Sequence, residues 1–367
     1  MAASPLALLR GSAPLFYELI GSDPFLRGGP SGRGWIVGDA HLENFGAYRV
    51  ESPGSKSATT FDVNDFDEAT MGMWHLDVLR LTTSAILGAR SFGITSTDSV
   101  ELAVKLLEGW SRAAFDGSRA QAPPPSIARL MRQVEARTRL QFLSGRTVRV
   151  NKSRRFVRGD RYRSLPLNIV NKIDQMLSDY RDGLPKGDRP DEGQLQLLDA
   201  ALRIAGTGSL GVLRIAALTL GKGGHGGAWI IDIKEQRDSC ALGDAPKLTA
   251  ADRTVTAIHA CLHRPPRFIG HAKLGERSML VRRLAPQEDK LDWRKVDRAE
   301  LPALATYLGG LLGRVHARGQ TGKAARWNRR ERREMLERAV YVAGIHESMY
   351  LALPMTVPPP IRSGASA

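Results

Sequence analysis

The chain changes hydrophobic period along its length, and this restricts its fold more than any single motif does. From 74 to 92 the apolar positions recur at helical spacing, with Leu76, Leu79, Thr83, Ile86 and Leu87 on one face. Residues 98–115, 126–144 and 166–182 carry the same texture. From about 201 to 235, and again at 278–285, the period shortens to that of strands (LGVLRIAALTL, GGAWIIDIK, SMLVRRL). Helical texture returns at 299–318 and 327–348. The order predicts an α+β protein of two lobes, one helical and one β-rich, with a ligand cleft between them. The predicted bounds are 1–200 for the helical lobe, 201–290 for the β-rich lobe and 291–353 for helices returning to the first lobe. Residues 354–367 read as a disordered tail.

With 42% hydrophobic and 25% charged residues over 367 positions, the composition is that of a globular protein. No apolar run reaches the roughly 18 residues of a membrane helix. Arg10 and Pro14 interrupt the N-terminal apolar pieces, so a signal peptide is not expected. Cys240 and Cys261 fit neither a disulfide framework nor a zinc site, and a reducing cytoplasm is the expected location. The net charge of +15 favours anionic partners such as nucleotides, phosphorylated metabolites, acidic lipid or nucleic acid. A freely arginine-rich solvated surface gives the same number. The sequence does not specify an oligomeric state.

Two short segments concentrate oxygen and nitrogen ligands just after strand-like runs. VGDAHLENFG (37–46) follows GWIV (34–37) and sets Asp39, His41 and Asn44 in the pattern D-x-H-x-x-N. Phosphotransfer needs a carboxylate to orient and deprotonate an attacking hydroxyl, with an oxygen ligand for magnesium nearby. An Asp followed five residues later by an Asn supplies both in the kinase catalytic loop, and Asn44 stands five residues after Asp39. TTFDVNDFDEA (59–69) then offers Asp62, Asp65 and Asp67, and Asp65 heads a D-F-x triplet suited to a second magnesium ligand. A backbone-bonded turn would use the same residue types as the first segment. His41 is expected to hold the loop. Asp62 reads alternatively as a strand-end cap, and Asp67 and Glu68 as solvated groups or helpers of a second ion.

A third motif, GTGSLG (206–211), places Gly206, Gly208 and Gly211 where backbone amides could approach phosphates, with Lys234 in IIDIK beyond it. A plain β-hairpin is the alternative. The glycines and lysine come about 170 residues after the Asp–Asn segment, the reverse of the usual kinase order. A circular permutation restores the sequence of parts: glycine loop, Lys234, SMLVRRL as a connection, the helix LATYLGGLLGRVHARG (304–319), then GDAHLEN. Arg282 and Arg283 read as a solvated edge strand, with phosphate contact as the alternative. RTVRVNKSRRFVRGDRYR (146–163) interleaves Phe156 and Tyr162 with arginines as a nucleic-acid stacking surface does, whereas RWNRRERREMLER (326–338) has the charge spacing of an exposed helix.

Across residues 4–320 the chain resembles a bacterial family known as domain of unknown function 2252. The resemblance rests on S-P-x-x-x-x-R-G (4–11), GDAHLENFG, FDVNDFDEA, W-x-x-D-x-x-R-L (74–81), GTGSLG, IKE, RRLAPQEDKLD (282–292) and LGRVHARG (312–319). That family looks like a relative of the aminoglycoside phosphotransferase and protein kinase superfamily. The resemblance implies Asp39 as catalytic base and Asn44 and Asp65 as magnesium ligands. It further implies Lys234 on the α/β-phosphates of ATP beneath the three glycines, and Asp77 bracing the catalytic loop. Three positions depart from the pattern. Val37 replaces the usual histidine, Asp232 replaces the small residue that packs on adenine, and no glutamate partner for Lys234 is evident. Glu235 would point to the opposite strand face, and the following helix offers only Asp252. The implied activity is an ATP- and magnesium-dependent phosphotransferase acting on a hydroxyl. A degenerate nucleotide-binding scaffold is one alternative. The other is a metal-dependent phosphoesterase, suggested by GDAH but lacking the G-N-H motif of that class.

Overall fold

A computed structural model of the chain describes residues 3–51, 58–117, 121–151, 153–205, 211–223, 226–244 and 246–356. The N-terminus forms three short helices, α1 (Pro5–Gly11), α2 (Ala13–Ser22) and α3 (Pro24–Arg27), each with a proline in its first turn. Four strands follow: β1 (Arg33–Ile36), β2 (Phe45–Val50), β3 (Ala58–Val63) and β4 (Thr70–Met73). β1 pairs with β4 and β2 with β3, both antiparallel. The two ligand-rich segments are the connections between these pairs, residues 37–44 and 64–69. The β2–β3 register, Phe45 opposite Val63, brings their inner ends together, and the Asn64 amide donates to the Asn44 carbonyl at 3.0 Å.

α4 (Trp74–Ser91) continues directly from β4 and is buried from Trp74 through Ala89. α5 (Ser96–Phe115), α6 (Pro125–Glu135) and α7 (Arg139–Ser144) complete the first helical run. The single helix expected over 126–144 is thus two, because Thr138 and Gln141 form a capping box that starts α7 afresh. β5 (Thr147–Val150), β6 (Ser153–Phe156), β7 (Tyr162–Arg163), α8 (Leu167–Val170) and α9 (Ile173–Gly183) lead into β8 (Leu197–Arg203), β9 (Arg214–Thr219) and β10 (Trp229–Glu235). After α10 (Ala250–Cys261) come β11 (Ile269–Leu274), β12 (Arg277–Leu284) and β13 (Asp289–Lys290). The chain closes with α11 (Leu301–Arg318) and α12 (Arg329–Thr356). Residues 354–356 of the expected tail are therefore helical, and 357–367 lie outside the described residues.

The architecture is mixed α and β with several sheets. The largest sheet is antiparallel, in the order β11-β12-β10-β9-β8-β7. Alternation along β10 sends Trp229, Ile231 and Ile233 into a core shared with Met176, Leu177 and Tyr180 of α9, and Ile230, Asp232 and Lys234 to the other face. β12 lies inside this sheet, so the reading of Arg282 and Arg283 as a solvated edge is corrected. The segment IGHAKL, not recognised in sequence, pairs as β11 along the outer side of β12 and shields it. The stacking-surface reading of 146–163 is corrected too, because Phe156 and Tyr162 stack on each other at 4.5 Å and are 3% and 2% exposed. The short strand β13 pairs with β2, ties the segment after β12 to the strand after Asn44, and completes a three-stranded sheet β13-β2-β3. No helix among the described residues is long and apolar enough to cross a membrane.

α11 lies against α5 at glycine contacts. A Cβ on Gly309 would stand 2.0 Å from the Leu106 carbonyl oxygen, and one on Gly109 2.1 Å from that of Thr306. At Gly310 the nearest atom is the mobile end of Arg314, 3.4 Å away. Gly309→Ala is expected to force the helices apart and cost about 1–3 kcal/mol. Gly310→Ala is expected to be neutral or stabilising by up to about 1 kcal/mol through helix propensity. Denaturant melts of both variants against wild type check the contrast.

Candidate functional site

One helix face sets the geometry of the 37–44 loop. Asp77, Arg80 and Ser84 of α4 lie at i, i+3 and i+7 and meet successive parts of it. The Asp77 carboxylate accepts the amides of Val37 at 2.6 Å and Gly38 at 2.9 Å. Arg80 donates through Nε to Asp39 Oδ1 at 2.8 Å, with a second contact from Nη2. Ser84 Oγ accepts the Leu42 amide at 2.9 Å. Asp77 is itself oriented by His316 of α11, whose Nε2 is 3.0 Å from Oδ2. Trp110 Nε1 donates to His316 Nδ1 at 3.0 Å, and an indole can only donate, so the His316 proton sits on Nε2, facing Asp77. Trp74 stacks on the same imidazole at 5.3 Å. Gly38 has φ +80°, and a Cβ there would meet the Glu68 carbonyl oxygen at 2.0 Å, which explains a glycine at this turn. Tyr17 of α2 donates to the Gly38 carbonyl at 2.5 Å.

Asp39 therefore sits at the end of a buried chain of supports. Arg80 is fully buried, donates to the Leu9 carbonyl at 2.8 Å and lies 4.7 Å over the Phe16 ring. Burial pushes the Asp39 carboxyl up to about 6, and the Arg80 charge opposes that rise. His41 accepts the Glu43 amide at Nδ1, 3.1 Å, and so caps the short turn Leu42–Asn44. Burial, with Arg80 second, holds His41 well below the usual imidazole value, so it is neutral at pH 7. Asn44 donates through Nδ2 to the Asp39 carbonyl at 2.7 Å, which leaves its amide oxygen as the end available to a ligand.

The 64–69 loop meets β10. Against burial, which would raise it, Lys234 and Lys290 hold the Asp65 carboxyl below its ordinary value, so it is ionised at neutral pH. Asp67 accepts an ion pair from Lys234 and, at Oδ1, a hydrogen bond from Gln236 Nε2 at 3.1 Å. Lys234 thus takes its partner from the loop beside Asp65, and the Asp252 offered by α10 instead lies 3.5 Å from His271. Glu235 faces away and binds Arg277 at 2.8 Å. Glu68 Oε2 accepts the Cys240 amide at 2.7 Å, so neither Asp67 nor Glu68 is the solvated group considered from sequence.

Asp39, Asn44, Asp65, Asp67 and Lys234 all line one cleft of about 400 Å³. Arg10, from the end of α1, enters it paired with Glu43 at 2.5 Å, and Lys290 enters from β13. Its wall along β10 carries Asp232, gripped by Arg214 of β9 at 2.7 and 3.0 Å. Asp62 is not part of the cleft lining. It bonds its own Val63 amide and lies in the field of Arg318 and Arg314, where burial raises it to about 6. Gly206 and Gly208 lie outside the described residues. Gly211 adopts φ +80°, and its carbonyl accepts from Arg237.

Arg80, His316, Arg10 and Lys290 all sit inside motifs legible in the sequence, without a role assigned to them there. The i, i+3, i+7 spacing of Asp77, Arg80 and Ser84 along one face of α4 was the signal available for the first. The donor set fits a hard cation at Asp65 and Asn44, a carboxylate and an amide oxygen side by side on one hairpin. Among the described residues no three His, Cys, Asp or Glu side chains form a metal cage, so magnesium here would complete its shell with phosphate oxygens and water. Chemically, the cleft combines a carboxylate poised near neutrality, an oxygen donor pair and an ammonium, which suits a polyanion and a proton acceptor.

No curated protein and no solved structure matches the chain. A family model described as "uncharacterized protein conserved in bacteria (DUF2252)" matches residues 1–342. The match spans most of the 367 residues and every segment that builds the cleft, so the chain belongs to this bacterial family.

Proposed function

We propose that the chain is an ATP- and magnesium-dependent phosphotransferase acting on a hydroxyl acceptor, on a circularly permuted, two-lobed protein-kinase-like fold. The observation that carries the reading is the convergence of Asp39, Asn44 and Asp65 with Lys234, between 169 and 195 residues later in the chain, on one cleft. The order of parts supports it as well. The β8–β9 hairpin precedes the lysine strand β10, a helix (α10) separates this from β11 and β12, and β13 leads on to α11. Joining the chain ends would put α11 ahead of the 37–44 loop, and α11 already reaches that loop through His316 and Asp77. The unpaired thiols of Cys240 and Cys261 accord with a reducing cytoplasm.

In this reading Arg80 fixes Asp39 Oδ1, and Oδ2 accepts the proton of the attacking hydroxyl. Lys234 binds phosphate oxygens and exchanges part of its pairing with Asp67 for them. Magnesium bound at Asn44 and Asp65 would neutralise charge developing on the phosphates. A second reading, a scaffold that binds nucleotide without turnover, is favoured by the engagement of Lys234 with Asp67 and by the charged wall at Asp232. Calorimetric titration with Mg-ATP followed by an ATP-turnover assay separates the two.

Asp39→Asn is expected to retain Mg-ATP binding and lose turnover by about 100- to 10,000-fold; a variant as active as wild type would falsify the base assignment. Activity should fall as pH drops through about 6, because the base works only when deprotonated and burial has raised its value to there. A pH profile of kcat/KM checks the midpoint. Asp65→Asn should weaken magnesium-dependent turnover at least tenfold, whereas Asp62→Asn, outside the cleft, should change it less than twofold; equal losses in magnesium titrations of the two variants would remove the metal assignment.

A further inference from the structure

The wall of the cleft two residues before Lys234 is charged where a nucleobase would need an apolar slot. Asp232 is 2% exposed and touches three arginines. Arg214 holds it with two hydrogen bonds, Arg203 of β8 lies 2.5 Å from Oδ1, and Arg282 of β12 lies 3.7 Å from Oδ2. Arg282 also meets Glu288 at 3.3 Å. Three guanidiniums thus converge on Asp232, and Glu288 meets one of them. Against burial, Arg203 and Arg214 hold Asp232 well below the ordinary carboxylate value, so it stays charged. A purine laid on this wall would strip water from ion pairs and return few hydrogen bonds. A phosphate would gain charge-assisted bonds from guanidiniums, which suit it better than any other side chain. Arg282 is the member placed to supply them, 30% exposed, facing the cleft and beyond hydrogen-bond distance of Asp232.

Resting on the Mg-ATP-binding part of the reading above and replacing the group it transfers, we propose that the terminal phosphates of the nucleotide lie against Arg282 and Arg214, which brings its α-phosphorus to Asp39 and makes the transferred group a nucleotidyl group. Asp232 and Lys234 share one strand face about 7 Å apart. Lys234 then reaches through Asp67 to the loop of Asp65. A triphosphate threaded along this line puts its outer end at the arginines, its middle on Lys234 and its inner end at Asn44, Asp65 and Asp39. The acceptor oxygen bonds to the α-phosphorus and the bond from that phosphorus to the α,β-bridging oxygen breaks. Pyrophosphate leaves on the arginine side, and the hydroxyl proton passes to Asp39.

Calorimetric titration of the full chain with ATP, inorganic triphosphate and AMP, each with magnesium, tests the orientation. Arg282→Ala should weaken ATP and triphosphate about tenfold and leave AMP unchanged, with Arg282→Lys intermediate. An equal loss for ATP and AMP would show that the wall holds the base and would overturn the proposal. Turnover of ATP labelled on the α- or the γ-phosphorus reads the same question. Release of pyrophosphate with the α-label on the product supports it. Release of ADP overturns it and leaves the phosphotransferase reading standing. Absence of any Mg-ATP binding by wild type removes that reading and this one together.

Discussion

The buried Arg80–Asp39 pair is the interaction on which the rest of the site depends. An arginine with no exposed surface is tolerated only with its charge and donors engaged. Asp39 and the Leu9 carbonyl engage Nε and Nη2, and the Phe16 ring faces the guanidinium, while Nη1 has no hydrogen-bond partner among the described residues. Each comes from a different element, so the pair fixes the N-terminal helices, α4 and the 37–44 loop to one another. Asp77 does the same for the backbone of the loop, with its two amides and His316. Replacing the Arg80–Asp39 ion pair with well-packed apolar groups would cost the fold little. The pattern is therefore better explained by the need to hold one carboxylate at the mouth of a cleft in a fixed orientation.

The Lys234–Asp67 pair joins regions far apart in sequence. Asp67 also receives Gln236, which receives Thr254 of α10 at 3.0 Å, and Arg253 donates to the Asp67 carbonyl at 2.6 Å. The 64–69 loop thus joins the large sheet to the β2–β3 hairpin. In the proposed function, a lysine held by the same loop that carries Asp65 would couple phosphate binding to cation binding locally.

Much of the fold was legible, for physical reasons that differ by element. α4, α5 and α11 have long apolar stripes, and their predicted bounds fall within a few residues of the structure. β10 carried β-branched alternation. What could not be read was pairing. β11 has two polar residues and a glycine in six positions, and only its ladder to β12 makes it a strand. Missing it turned β12 from an interior strand into an edge, and with it the surroundings of Arg282 and Arg283. In the site, Asp39, Asn44 and Asp65 stood out because their residue types and spacing are rare together. The partner of Lys234 did not, because Asp67 lies 167 residues away and proximity across that distance is set by tertiary structure alone. The roles of Arg80 and His316 were hidden for the same reason.

The net charge takes on a different meaning once the arginines are placed. Arg330 and Arg333 of α12 pair along the helix with Glu334 and Glu337 at 2.8 and 3.0 Å, as on any solvated face. Arg146, in the basic stretch 146–163, covers Phe142 at 3.9 Å, and Arg158 binds Asp199. In the cleft the arrangement differs, because Arg214 of β9 and Arg282 of β12 converge on Asp232 of β10 from the two neighbouring strands. Burying like charges costs free energy that hydrophobic packing could have avoided. With Arg282 facing the cleft beside an ionised Asp65, the proposed ligand is one that brings an anion and a cation into the same space. A nucleoside polyphosphate with its metal supplies both charges in one ligand.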